Sequence, residues 1–293
     1  MRTGKILGLA MMTMVSGALL FTGCGDSQGQ SGKETESSTQ ATEKNETNQI
    51  ADATFTKFDK RDTWDENATV IELADKDVTI DKAGTYVLSG TLEDGQIYVN
   101  VASADKVQLV LNGVNITCKD SAAIYVENAD KVSLTLAEGT ENILTDGGDV
   151  TTTNADGCVF SKDDLSINGL GTLKVNGTVS NGIDCNNDIK IVSGTIIVDA
   201  VNNGIKAKQS IAIKDGNITV SAEDAVKAKS NSDETVGSFY MEGGTMKINA
   251  ADDGISATVS IKITGGNISV SAEGKTTNCD GIEDVKEGCI TKE

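Results

Sequence analysis

An all-β solenoid built from coils of three short strands is the fold this sequence predicts, and three observations carry the prediction. The first is one phrase written repeatedly: Gly157-Cys-Val-Phe, Gly182-Ile-Asp-Cys, Gly204-Ile-Lys-Ala, Ala225-Val-Lys-Ala, Gly254-Ile-Ser-Ala and Gly281-Ile-Glu-Asp, with starts 21 to 29 residues apart. The second lies immediately after each phrase except the last. An apolar alternation (Leu165/Ile167, Ile189/Ile191, Ile211/Ile213, Phe239/Met241, Ile261/Ile263) runs into a glycine turn, and a third alternation such as Ile196/Val198 or Ile218/Val220 closes the unit. Period-2 runs separated by Gly, Asn and Asp are strands, and a unit that cannot bury its apolar side alone must stack on its neighbours at about 4.8 Å. The third is composition: 31 Gly, no Pro and 3% aromatics suit tight turns, small core residues and unbroken ladders.

Residues 1–23 join a charged start (Arg2, Lys5) to the apolar run Ile6 to Phe21, the layout of an export signal. The segment ends Phe21-Thr-Gly-Cys24, which resembles a bacterial lipoprotein cleavage box and makes Cys24 the expected lipidation site. Residues 24–51 are Ser, Thr, Gln, Glu and Lys with almost no apolar residue, a tether without the means to form a core. Together they place the folded part outside the cell, held to the outer face of the membrane by lipid at Cys24.

Residues 52–94, with Phe55, Phe58, Trp64, Ile71, Leu73 and Tyr86 between Asp- and Gly-rich turns, read as an N-terminal cap and first coil. Coils then occupy 95–293. Two begin at Gln96-Ile-Tyr-Val and Ala123-Ile-Tyr-Val, and a polar insertion, Thr145 to Ala155, precedes Gly157. Alternation points Cys158 and Cys185 inward in successive coils, open to a disulfide or to two packed thiols; Cys279 and Cys289 are a second candidate pair.

With 25 basic and 44 acidic residues, a net charge of −19 argues against nucleic acid and anionic membrane surfaces as partners and is compatible with divalent cations. Along the repeated phrase lie Asp156, Asn181, Asp184, Asn203, Asp224, Asp252, Asp253, Asp280, Glu283 and Asp284. Stacking brings like charges within a strand spacing of one another, which is unfavourable unless offset. Amide ladders relieve it in part and Ca²⁺, which takes six to eight oxygen ligands, relieves it further; the alternative is that Asx-Gly simply forms turns. A second column holds Tyr98, Tyr125, Val159, Asp184, Lys206, Lys227, Ser256 and Glu283, with Lys208 and Lys229 two residues further along. Lys206, Lys208, Lys227 and Lys229 form a basic track suited to an anionic polymer, with Tyr98 and Tyr125 as stacking surfaces for sugars; the alternative is that the lysines neutralise neighbouring aspartates.

The runs Ala83-Gly-Thr-Tyr-Val-Leu-Ser-Gly-Thr-Leu, Leu109-Val-Leu-Asn-Gly-Val-Asn-Ile, Ala122-Ala-Ile-Tyr-Val, Leu136-Ala-Glu-Gly-Thr-Glu-Asn and Phe160-Ser-Lys-Asp-Asp-Leu-Ser-Ile-Asn-Gly, in that order, resemble the bacterial carbohydrate-binding domain family of extracellular lipoproteins. The resemblance covers Asp52 to the C-terminus. It implies a right-handed parallel β-helix similar to calcium-dependent pectate lyases, calcium as cofactor, and affinity for acidic pectic polymers and for cellulose. Its metal-binding positions map to Asp156, Asp184, Asp224, Asp252, Asp253 and Asp280. Ala225 departs from the pattern where Gly is usual, and the chain ends soon after the last Asp-Gly.

Catalysis finds little support in the residues. A lyase needs a base beside the uronate and a cation to hold the developing charge. Histidine is absent and the arginines are Arg2 and Arg61, which leaves Lys190, Lys206, Lys208, Lys227 or Lys229 as base. The sequence therefore reads as a non-catalytic, calcium-binding surface protein for plant cell-wall polysaccharide, with a weak calcium-dependent lyase and a structural or adhesion protein as the alternatives.

Overall fold

Short apolar alternations and continuous stacking leave the chain one way to satisfy its backbone, by pairing each strand with its counterpart in the next repeat. The computed structural model describes residues 52–148 and 155–293; the expected export signal, Cys24, the tether and most of the insertion lie outside the described residues. Among the described residues there is no helix, and the strand pairings are parallel. A nine-stranded sheet contains the repeated phrases except the last, and a 17-stranded sheet contains the second and third alternations. The strand Asn181–Cys185 pairs with Asn203–Ala207, Asp188–Ile191 with Ser210–Ile213, and Thr195–Ala200 with Asn217–Ala222. From Ile124–Asn128 to Asn267–Ala272 each strand thus pairs with the strand three later in the chain, and the architecture is solenoid-like. In the 17-stranded sheet the two rows are joined by the long strand Lys106–Thr117, which pairs with both Lys131–Leu136 and Glu141–Thr145.

The core follows from register. Ile97, Ile124, Val159, Ile183, Ile205, Val226 and Ile255 stack at one inward position of the nine-stranded sheet, all fully buried. Opposite them stand Ile189, Ile211, Phe239 and Ile261, and Val198, Val220, Ile248 and Val270. Glycine has two separate uses. Gly169, Gly194, Gly216, Gly244 and Gly266 hold φ between 83° and 124° at the turn between the second and third strands, a region closed to most side chains. Gly182, Gly204 and Gly254 are needed for space: a Cβ there would come within 2.3, 2.1 and 2.8 Å of Cγ1 of Val198, Val220 and Val270. Their φ is not positive and Gly182 and Gly204 lie inside strands, so the Asx-Gly pairs of the phrase are not the turns that one reading of the sequence makes them.

Residues 52–66 run along the outward face of the 17-stranded sheet. Asp52 pairs with Lys262 at 2.7 Å, the Thr54 carbonyl accepts from Lys190 at 2.8 Å, and the Phe55 ring lies 5.8 Å from Lys214 Nζ. Asp59, fully buried, pairs with Lys131 at 2.8 Å, and its carbonyl accepts from Asn168. The Arg61 and Thr63 carbonyls accept from Gln108 Nε2 at 3.0 and 3.3 Å. Gln108, Ser133, Thr135, Ser166 and Asn168, at outward positions, are buried beneath this strap. Burial pushes the Asp59 carboxyl up, but hydrogen bonds from Lys131 and Thr56 outweigh it and hold the group below the ordinary aspartate range.

Two registers differ from the expected ones. Gly157 aligns with Asn181, not Gly182, so Val159 points inward and Phe160 outward. The last coil enters the nine-stranded sheet through Thr277–Cys279, whereas Gly281-Ile-Glu-Asp leads into Ile282–Val285, which pairs with Ser260–Ile263 in the other sheet. The reason is the pleat: a slip of one residue exchanges inner and outer faces, so burial of the apolar set decides pairing and a matching Gly does not. Cys158 and Cys185 are buried, but Cys185 stands opposite Ser161. All five described cysteines are free thiols.

Candidate functional site

Among the described residues no strap crosses the outward face of the nine-stranded sheet, and its register makes that face three blocks of chemistry. At one outward position stand Tyr98, Tyr125, Phe160, Asp184, Lys206, Lys227, Ser256 and Asn278 on successive strands. Phe160 and Asn278 take the places expected for Val159 and Glu283, for the register reasons above.

The first block is aromatic. Tyr98 and Tyr125 have ring centroids 5.6 Å apart, and Tyr125 and Phe160 5.2 Å, both tilted. Tyr125 and Phe160 are buried together with Ala122 and Ala155. Lys162 Nζ sits 5.9 Å from the Tyr125 centroid while bonding Glu127 at 2.7 Å. Tyr125 is therefore a packed side chain and not the open sugar platform expected of it; Tyr98, half-buried at the end of the stack, keeps a partly exposed ring.

The second block is ionic, and a contact between residues i and i+3 organises it. Asn181 Nδ2 donates to Asp184 at 2.8 Å, Lys227 Nζ to Asp224 at 2.7 Å, and Ser256 Oγ to Asp253 at 3.4 Å. Asn203 breaks the series. Lys206 turns to Asp184 in the preceding coil, at 3.1 Å, and the Asn203 amide oxygen, in a buried residue, is left without a donor. Asp184 Oδ1 is likewise buried and unpartnered. Burial pushes the Asp184 carboxyl up; Lys206 and Asn181 offset part of that, the Asp156 charge adds to it, and the net shift is upward.

The third feature lies where Asn203, Asp224 and Asp253 follow one another along the stack. The register sets Asn203 beside Asp224, Asp224 Oδ1 accepts from the Asp253 N–H at 3.2 Å, and Asp253 Oδ1 from the Lys275 N–H at 2.8 Å. Carboxylate oxygens of Asp224, Asp252 and Asp253 lie within 4.8 Å of one another. Burial raises the Asp253 carboxyl, but hydrogen bonds from Lys275, Asn278 and Ser256 more than compensate and hold it below the ordinary range, as an anion. Hard oxygen donors from three carboxylates, with an unsatisfied amide oxygen in the neighbouring coil, fit a hard divalent cation.

The structure thus brings together three of the six expected ligands. Asp156 is exposed on the coil before Asp184, Asp184 is committed to Lys206 and Asn181, and Asp280 pairs with Lys229 at 3.1 Å. Of the four lysines, Lys206, Lys227 and Lys229 are each held by an aspartate, as the neutralising alternative requires. Lys208 has no side-chain partner among the described residues. Asn278, Lys275 and Phe160 are parts of this face that sequence reasoning did not single out; the inward alternation, followed through Cys279 instead of the Gly-Ile pattern, points to Asn278.

A solenoid-like stack of parallel strands that carries aromatic, ionic and amide rows along one sheet defines a class of extended-surface proteins. Comparison with known proteins places it more narrowly. A family model described as "Carbohydrate-binding domain-containing protein" matches residues 74–291, and the chain belongs to that family. A protein of the same description from Acetivibrio thermocellus is 36% identical over 241 residues, covering 80% of this chain and 84% of its own. A solved structure, the polysaccharide lyase-like protein from C. thermocellum as a gadolinium derivative, is 38% identical and superposes with a TM-score of 0.73, covering 76% of this chain and 98% of the other.

Proposed function

We propose that this protein is a non-catalytic, calcium-assisted polysaccharide-binding lipoprotein of the cell surface, recognising acidic plant cell-wall polymers along the uncovered face of a right-handed parallel β-helix with three strands per coil. The observation that carries the reading is the juxtaposition of the Asp224, Asp252 and Asp253 carboxylates with Lys227 on the strand of Asp224 and Lys206 on the strand before it. Calcium held there by these aspartates, with the Asn203 carbonyl oxygen as a further donor, supplies a positive centre for a uronate carboxylate. Lys206 and Lys227 add fixed charge, Lys208 a partnerless ammonium, and the exposed edge of Tyr98 a ring surface. Nine strands at the parallel spacing give a face about 40 Å long, so many weak contacts add along one polymer. Cellulose as a second ligand rests on the family resemblance. Lipid at Cys24 and an extracellular position follow from the layout of residues 1–24.

Gel retardation in polygalacturonate, with calcium and with chelator, tests the reading. Retardation only with calcium is expected, and Lys206→Glu combined with Lys227→Glu abolishes it. Equal mobility in both conditions would remove the calcium-bridged track. A lyase is the second reading, favoured by the description of the solved relative as polysaccharide lyase-like, with Lys208 as the base. Its signature is an unsaturated product absorbing in the ultraviolet.

A further inference from the structure

The chain has one tryptophan, Trp64, and the structure leaves it 40% exposed on the strap. An indole is an expensive group to leave in water when a core is available. Its backbone is not loose. The carbonyl before it, of Thr63, and that of Arg61 accept from Gln108 Nε2, and just beyond it the Asp65 carbonyl accepts from the Ala68 N–H at 3.2 Å and Asp65 Oδ1 from the Asn67 N–H at 2.9 Å. Trp64 thus stands on an anchored stretch of backbone, with its indole N–H unpartnered among the described residues.

Beside the ring is a cavity of about 340 Å³ lined by Asp62, Thr63, Trp64, Leu136, Glu138, Gly169 and Leu170. Leu170, on the turn between the strands Asp164–Gly169 and Thr172–Gly177, is 66% exposed. The Asp62 and Glu138 carboxylates are exposed and have no hydrogen-bond or ion-pair partner among the described residues. Leu170 also borders a second cavity, of about 380 Å³, whose polar side chains are Ser193, Thr195, Asp215, Asn217 and Thr245. Among the described residues, no lysine or arginine lines either one.

We infer that Trp64 is the stacking platform of a neutral-sugar subsite, with Leu170 as the second apolar wall and Asp62 and Glu138 as acceptors for sugar hydroxyls. The inference rests on the reading that the chain binds polysaccharide, and adds to it a second site with the opposite charge preference. The apolar face of a pyranose suits an indole and a leucine. Two unpaired carboxylates with no cation beside them accept hydroxyls and repel uronates, which selects an uncharged polymer. The cavity past Leu170, lined by hydroxyl, amide and the Asp215 carboxylate, continues along the stack of coils, so further units of the same glycan follow the solenoid axis.

Because Trp64 is the sole tryptophan, its emission reports on this subsite alone. The full protein is titrated with cellohexaose, xylohexaose and mannohexaose, and separately run in polygalacturonate with calcium. At least one neutral hexaose is expected to shift the emission to the blue in a saturable way. By calorimetry, Trp64→Ala and Leu170→Glu each weaken that hexaose about tenfold or more, Trp64→Phe retains most of the affinity, and all three leave calcium-dependent retardation unchanged. Leu170→Glu, at an exposed turn position, also keeps the melting temperature, which separates lost binding from lost folding. Retardation in polygalacturonate with no response to any of the three hexaoses overturns the neutral subsite and leaves the acidic track standing. Absence of both overturns both.

Discussion

The two sheets carry polar side chains at their outward positions, yet residues 52–66 cover one face and no other described segment straps the second, and the contrast assigns each a role. Under residues 52–66, Gln108, Thr135, Asn168 and Lys131 spend their hydrogen bonds on the strap's backbone and on Asp59. On the bare face Lys206 and Lys227, at equivalent outward positions, pair with aspartates but keep part of their surface in water. Polarity at a strand's outer position is therefore no guide to function until the cover is known.

The contrast breaks or sharpens most at its lysines. Lys131→Met takes from the buried Asp59 carboxylate its close ion partner, leaving the Thr56 donors and Lys190 at 4.0 Å, and should cost about 3–5 kcal/mol, read from denaturant midpoints. A cost below about 1 kcal/mol, the range of exposed pairs, would mean that the strap is no more integral than a surface loop. Next comes packing common to both faces. Gly204→Ala drives a methyl into Val220 and should lose about 1–3 kcal/mol; Ala225 shows that one coil has solved this problem, so a near-neutral result would mean the stack relaxes readily. On the other face Lys206→Met should cost about 1–2 kcal/mol, less than the covered lysine, because the Lys206 side chain borders solvent where that of Lys131 is buried. Equal costs for the two lysines would erase the contrast.

Acidity separates the faces by sign, with the smallest effect. Asp59, held below the ordinary aspartate value, contributes stability that is present above that value and lost as pH falls through its folded pKa. Asp184, raised, binds its proton more tightly in the folded state, so its contribution is greatest in acid and is lost as pH rises through its folded pKa. Asp184→Asn should flatten the stability curve between the ordinary aspartate value and the raised one while leaving the acid limb of Asp59 in place. Denaturant midpoints across mildly acid pH would show it, and an unchanged curve would mean that Asp184 titrates normally.

The sequence by itself determined the strand periodicity, the stacking of like phrases, the inward isoleucine and valine columns and the positive-φ glycine row, because each is a local demand repeated in every coil. It also placed Asn203, Asp224 and Asp253 in one neighbourhood. The tertiary structure alone decided the rest. It moved Gly157 and Gly281 out of the alignment their letters suggest, since register answers to burial of an entire strand and not to one residue. It closed Tyr125 under Phe160 and turned Lys206 toward Asp184, leaving Asn203 unsatisfied. It also carried Trp64 onto a sheet face formed by residues 72 to 106 positions later in the chain. Such contacts join segments with no fixed spacing between them, and the only thing that selects them is which surface remains open once the coils have stacked.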